Sequence, residues 1–164
     1  MLIWSWLLYM FSIDRTSLRN FNKYLLPILT LVTAFIGYKS NTFIDSDTWY
    51  FDLVKSPLNP PSYIFGIVWP ILYLLMAFVS FISADKIWTL FIPQLILNAA
   101  WSWMFFFLHA PLLALINISI LIFLNQKILI ILRGESSLLF WLYLPYILWL
   151  SFAAFLNASI VFLN

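Results

Sequence analysis

The chain has 164 residues, of which 65% are hydrophobic and only 9% charged, with a net charge of +2. Its mean hydropathy of +1.01 excludes a soluble globular domain, where about a quarter of residues are charged, and its length suits one membrane domain of a few spans joined by short loops. The absence of Cys excludes disulfides, thiolate catalysis and sulfur ligation of zinc or iron, and the thin positive charge, with no basic run, excludes nucleic acid as a partner.

Residues 1–13 are apolar and hold Trp4, Trp6, Tyr9 and Phe11, but a helix of that length reaches only about 20 Å and cannot cross a bilayer. No positive charge precedes the apolar run and no small-residue cleavage pattern follows it, so it is not a secretory signal. Residues 1–19 therefore read as an interfacial segment with aromatic anchors, or as a leader dispensable up to Met10, carrying part of the basic flank Arg15, Arg19 and Lys23. Residues 20–164 read as the membrane domain. A first span is expected over 20–38, with Pro27 near its first turn and Lys39 snorkelling from its far end. The polar stretch 40–48, with Asp45 and Asp47, opens a long first loop. In 49–61 the prolines Pro57, Pro60 and Pro61 lack a backbone N–H and restrict the residues before them, which predicts a rigid extended connection without regular structure.

That connection feeds a second span, 62–83, with Pro61 and Ser62 at its first positions. Asp85-Lys86 makes a tight turn into a third span, 87–108, which carries Gln94 and Asn98 at depths where polar amides face protein. A break at 109–111 leads into a fourth span, 111–132, with Lys127 near its end. Residues 133–137 form the last loop, and 138–163 the fifth span. No internal repeat is evident, and no segment alternates with the period of two that a barrel strand needs. The fold class is thus an all-α integral membrane protein, a multi-pass five-transmembrane-helix bundle. Arg15, Arg19, Lys23, Lys86, Lys127 and Arg133 fall on the amino-terminal side against Lys39 and Lys55 on the other, so the positive-inside rule puts the N-terminus in the cytoplasm.

Three helical stripes carry the candidate chemistry: Trp69, Tyr73 and Met76; Gln94, Asn98, Trp101 and Phe105; Tyr146, Trp149, Ala153 and Asn157. Each follows i, i+3/i+4 spacing and mixes rings with an amide or hydroxyl, while Ala153 leaves space, as a pocket for a flat, apolar, hydrogen-bonding ligand requires. The plainer reading is ordinary helix packing with interhelical hydrogen bonds of about 1 kcal/mol. His109 reads as a surface histidine in a turn rather than an axial haem ligand. Asp45, Asp47 and Asp52 read as solvated loop carboxylates rather than a metal cluster. With one histidine and no carboxylate in the spans, no general base lies deep in the bundle, so binding rather than acid–base turnover is expected.

The spacing of Trp49-Tyr50, Leu53, Lys55, Pro60-Pro61, Phe65, Val68-Trp69, Leu72-Tyr73 and Leu75-Met76 resembles the signature of the TspO/MBR family, the translocator proteins or peripheral benzodiazepine receptors. Two further blocks agree, L-N-A-A-W-S-W-M-F-F-F-L-H-A-P over 97–111 and P-Y-I-L-W-L-S-F-A-A-F-L-N over 145–157. The resemblance implies five membrane helices around a pocket for porphyrins, sterols and benzodiazepine-type ligands, lined at Tyr50, Trp69, Asn98, Trp101, Trp149 and Ala153. It implies porphyrin or haem as a ligand with no obligatory cofactor, and links Trp69 and Trp149 to light-dependent porphyrin breakdown. It also implies a homodimer, for which Ser151, Ala154 and Ala158 give the fifth helix a side of small residues. The chain departs from the family's pattern in three places: Ser-Pro follows Lys55, nothing basic follows Arg133, and Phe162 precedes Leu163-Asn164. The second departure ranks sterol below tetrapyrroles. Competing readings are a transporter of tetrapyrroles, sterols or other lipids, which usually shows inverted repeats and broken helices, and a structural subunit of a membrane complex, which does not need the stripes to converge.

Overall fold

The computed structural model describes residues 15–41 and 48–164; the apolar stretch 1–13 and the loop carboxylates Asp45 and Asp47 lie outside them. The described chain forms α1 (Arg15–Asn41), a single turn α2 (Trp49–Asp52), α3 (Ser62–Ser102) continuing as a π-helical turn (Trp103–Phe107), α4 (Pro111–Glu135) and α5 (Ser137–Leu163). The hydrogen-bonded run from Ser62 to Phe107 covers 46 residues. A straight helix of that length would measure about 70 Å, more than twice the hydrocarbon thickness of a bilayer. It is instead a hairpin. Ser83 leaves helical geometry at φ −105°, ψ 18°, and the Tyr73 hydroxyl donates to Asn98 Oδ1 at 2.5 Å, although a straight helix would separate these residues by about 38 Å. The rings of Trp69 and Trp101 lie 6.4 Å apart. Both pairs are centred on the exposed Asp85-Lys86, so the two arms of α3 are the expected second and third spans.

The ends of the helices alternate as five crossings require. The Asn164 side chain bonds the backbone of Val54 and Trp49 stacks on His109, which gathers the first loop, the 108–110 corner and the end of α5 on one face. At the opposite face Lys23 lies over the Phe81 ring, 4.5 Å from its centroid, beside Tyr24. This is a multi-pass integral membrane protein.

Its core runs through all the long helices and includes Leu26, Met76, Val79, Ile87, Phe91, Ile118, Leu121, Ile128, Tyr143 and Leu150. The outer faces expose Phe21, Ile28, Phe35, Ile71, Ile96, Ile120 and Leu148. Helices apolar all round are stable only where lipid covers the outside. Lipid tails are as apolar as the core, so close packing and interhelical hydrogen bonds hold the bundle together.

Several boundaries differ from the sequence reading. The segment 49–61 is not irregular throughout, because Trp49–Asp52 forms one helical turn; the prolines restrict only residues from Ser56 onward. Since α1 begins at Arg15, Pro27 is in its interior and not in its first turn. Its missing N–H removes the hydrogen bond to the Lys23 carbonyl, and Pro70, Pro93 and Pro145 also lie within helices, which membrane helices tolerate because their neighbours satisfy the freed groups. The expected 133–137 loop is reduced to Ser136, extended at φ −161°, ψ 132°, since Arg133, Gly134 and Glu135 complete α4. Lys127 is consequently two turns from the end of its helix, with its ammonium 4.8 Å from the Phe123 ring centroid. The third span does not stay α-helical to Leu108. It widens to π geometry over Trp103–Phe107 and stops at His109, whose φ of 48° is left-handed, a region histidine enters more readily than most residues.

Candidate functional site

The stripes anticipated on the spans face one another. On the first arm of α3, Phe65, Trp69 and Tyr73 recur every four residues on one face. Toward the middle of the bundle this face meets a polar cluster. Asn98 accepts from the Tyr73 hydroxyl and donates through Nδ2 to the Tyr146 hydroxyl at 2.6 Å, and that hydroxyl in turn donates to Gln94 Oε1 at 3.1 Å. All four side chains are buried, so each bond replaces one that water cannot supply. Asn98 thereby uses one of its two N–H donors and one acceptor site on joining helices.

From this cluster a series of rings runs to the face that carries the first loop. Tyr73 and Trp69 are 5.8 Å apart, Trp69 approaches Trp101, and Trp101 stacks on Phe105 at 5.8 Å. Phe105 then meets Tyr50 at 6.2 Å and Trp49 at 5.8 Å. The Trp101 indole N–H donates to Asn157 Oδ1 at 3.2 Å, and Asn157 Nδ2 donates to the Pro111 carbonyl at 2.8 Å. One amide thus ties the second arm of α3, the start of α4 and the end of α5. Trp149 reaches the series through Phe65, 5.8 Å away and one turn before Trp69. Its indole nitrogen is buried with no hydrogen-bond partner among the described residues. Ala153, 5% exposed, follows Trp149 by one turn on α5.

Tyr50, Trp69, Trp101 and, through Tyr73, Asn98 therefore form one contact series. Trp149 packs on Phe65, which precedes Trp69 by one turn on the same face of α3, and the Trp69 ring faces those of Tyr73 and Trp101. His109, in the corner after the third span, stacks on Trp49 with ring centroids 4.3 Å apart and planes 16° from parallel. Among the described residues no three His, Cys, Asp or Glu side chains gather as a metal site would need.

The first loop closes over this series. Burial raises the Tyr50 phenol above its ordinary pKa, against a smaller lowering by its hydrogen bond with the Asn59 side chain. Lys55 folds back so that Nζ donates to the carbonyls of Phe51 and Leu53, each at 3.2 Å, and lies 4.6 Å from the Tyr50 ring centroid. It thus satisfies the C-terminal carbonyls of α2, where a cation is favoured. Partial burial lowers its pKa, and the Asp52 carboxylate opposes the shift. Two open cavities border the loop, one of about 610 Å³ between Trp49, Leu53, His109, Ile160 and Asn164 and one of about 410 Å³ between Ser56, Pro57, Phe155 and Leu163. Neither is lined by Trp69, Asn98, Trp101, Trp149 or Ala153.

Four participants were not anticipated. Phe65 is reached by extending the Trp69 stripe one turn backward. The pairing of Tyr143 with Asn125, at 2.6 Å, joins α4 to α5, and its signal was a polar residue in each of two apolar helices. Asn164 had no local signal, because its partner Val54 is 110 residues away.

A model of the TspO/MBR family matches residues 25–163. The chain is 36% identical over 143 residues to the tryptophan-rich protein TspO of Chlorobaculum tepidum, covering 79% of this chain and 89% of that protein. It is 32% identical over 159 residues to the protein of the same name from Archaeoglobus fulgidus, covering 88% and 99%. To the translocator protein of Ovis aries it is 29% identical over 140 residues, covering 78% and 83%. The match runs from within the first span to the end of the fifth and takes in the proline-bearing first loop and each of the converging stripes, and the chain belongs to the TspO/MBR family of integral membrane proteins.

Proposed function

We propose that the protein is a membrane receptor or sensor that binds a porphyrin or related tetrapyrrole between the two arms of α3 and α5, beneath the first loop. The observation that carries this reading is the buried indole N–H of Trp149, without a partner among the described residues, one turn from the small Ala153 on a ring that packs on Phe65. A flat macrocycle stacks on rings and brings acceptors on its rim, and a buried donor is costly until it meets one. Tyr50 from the loop, with Asn98 and Trp101 from the second arm, completes the lining. The buried polar groups around this face are amides, phenols, indoles and the Ser102 hydroxyl, which bind and orient but supply no base near neutral pH, so the reading is of binding and not turnover. A second copy of the chain and the surrounding lipid are the proposed macromolecular partners, and sterol ranks below tetrapyrrole as ligand.

Titration of the purified protein with protoporphyrin, followed by quenching of tryptophan fluorescence, tests this. Trp149→Phe keeps an aromatic body but removes the N–H. It should lose part of the quenching and bind roughly 5- to 30-fold more weakly, as expected for one buried hydrogen bond. Trp88, 44% exposed beside the Asp85-Lys86 turn, is the control. If Trp149→Phe and Trp88→Phe bind alike and quench alike, the assignment is wrong.

A further inference from the structure

We infer that Asn164 is a positioning residue: its side chain clasps Val54 and holds the 48–57 segment, and with it Tyr50, over the aromatic face, so that release of the clasp opens that face. The bonding pattern is specific. Asn164 Oδ1 accepts from the Val54 N–H at 3.0 Å, and Nδ2 donates to the Val54 carbonyl at 3.1 Å and to the Ile160 carbonyl at 2.9 Å. One amide thus binds both backbone groups of a single residue, as a neighbouring strand would, and fixes the position and rotation of the segment together. The third bond anchors that amide to the last turn of α5.

The surroundings show how this clasp attaches the segment to α5. Lys55 locks α2 and the residues after it into one unit through its bonds to Phe51 and Leu53. That unit also rests on the second arm of α3 and on the 108–110 corner through the rings of Trp49 and Tyr50. Toward α5 it is bordered by the two open cavities, one lined by Leu53 and Asn164 and the other by Ser56, Pro57 and Leu163, so Val54 and Asn164 form a narrow bridge between them. Both clasp bonds are exposed, where water offers replacement partners and the net gain from each bond is modest. Such a clasp holds the segment in place and still releases.

The gating half of this inference rests on the tetrapyrrole reading, and the holding half does not, so the test has two arms. In the ligand-free protein in lipid nanodiscs, Asn164→Leu should speed hydrogen exchange of the Val54 amide by about 3- to 30-fold, the loss expected for two exposed hydrogen bonds, with exchange in α4 unchanged. Val54→Pro removes the donor from the other partner. Leu53 is already extended at φ −65°, ψ 140°, the conformation proline requires before it, so this variant should speed exchange at Phe51 and Asp52, whose amides bond the Thr48 carbonyl, by a similar factor. Unchanged exchange in both variants overturns the clasp. In the second arm, protoporphyrin should associate with and leave Asn164→Leu faster by comparable factors, with Kd within about twofold of the unaltered protein. Faster exchange with unchanged rates refutes gating. No porphyrin binding by the unaltered protein refutes the tetrapyrrole reading and the gating drawn from it, while Val54 exchange still decides whether Asn164 holds the segment.

Discussion

Asn98 joins three helical segments with one amide, accepting from Tyr73 on the first arm of α3 and donating to Tyr146 on α5. The consequences of removing it are unequal for the two phenols. Tyr146 keeps Gln94 as an acceptor, whereas the Tyr73 hydroxyl loses its acceptor in a site that water does not reach. Asn98→Leu should therefore destabilise the bundle by roughly 1–3 kcal/mol, the cost of stranding one buried polar group. Adding Tyr73→Phe should recover most of that loss, because the stranded group is then gone. Denaturant unfolding in detergent micelles measures both, and a double variant no more stable than Asn98→Leu alone would show that the cost arises elsewhere. Polar side chains at 94, 98 and 146 were conspicuous in apolar helices, but their bonds to one another were not legible. Hydrogen-bond partners depend on how helices rotate, and periodicity gives only the face.

At the scale of elements, α3 shows how far local pattern reaches. The charged pair Asp85-Lys86 marked the reversal correctly, because two adjacent charges are expensive within a bilayer and cheap at its surface. The irregularity itself sits at Ser83, and the backbone hydrogen bonding continues around the turn, which no residue type announced. Insertion of a four-residue Gly-Ser linker between Asp85 and Lys86 should leave the fold intact at a cost of about 1 kcal/mol or less, since loop closure entropy grows slowly with length. The same insertion between Phe78 and Val79 should abolish folding, because it moves Tyr73 out of register with Asn98. Size-exclusion profiles and helical circular dichroism in detergent distinguish the two, and equal tolerance at both sites would contradict the hairpin. Prolines misled the reading of the first loop in one respect. They explain the extended chain near Pro57 and Pro60, but α2 precedes them and is held by Lys55, whose bonds form only when the chain folds back.

For the molecule as a whole, the contacts of Asn164 with Val54 and of Trp49 with His109 place the first loop, the 108–110 corner and the end of α5 on one side, with Lys23, Lys86 and Arg133 toward the other. With Cys absent from the natural chain, single cysteines introduced by Leu58→Cys and Ser137→Cys report sidedness cleanly. An impermeant thiol reagent should label them from opposite sides of the membrane, Ser137→Cys from the cytoplasmic side if the positive-inside rule governs insertion, with at least a tenfold preference in each case. Labelling of both from one side would exclude the odd number of spans between them. The sequence by itself determined that this chain is helical, crosses the membrane five times and belongs to the TspO/MBR family, because span length, backbone satisfaction and motif spacing are properties of contiguous residues in an apolar solvent. Tertiary structure alone decided that Asn98 bonds two phenols, that Trp149 packs on Phe65, and that Asn164 clasps Val54. Each joins positions far apart in the chain, and their meeting depends on the relative rotation and depth of packed helices, which no local stretch of sequence encodes.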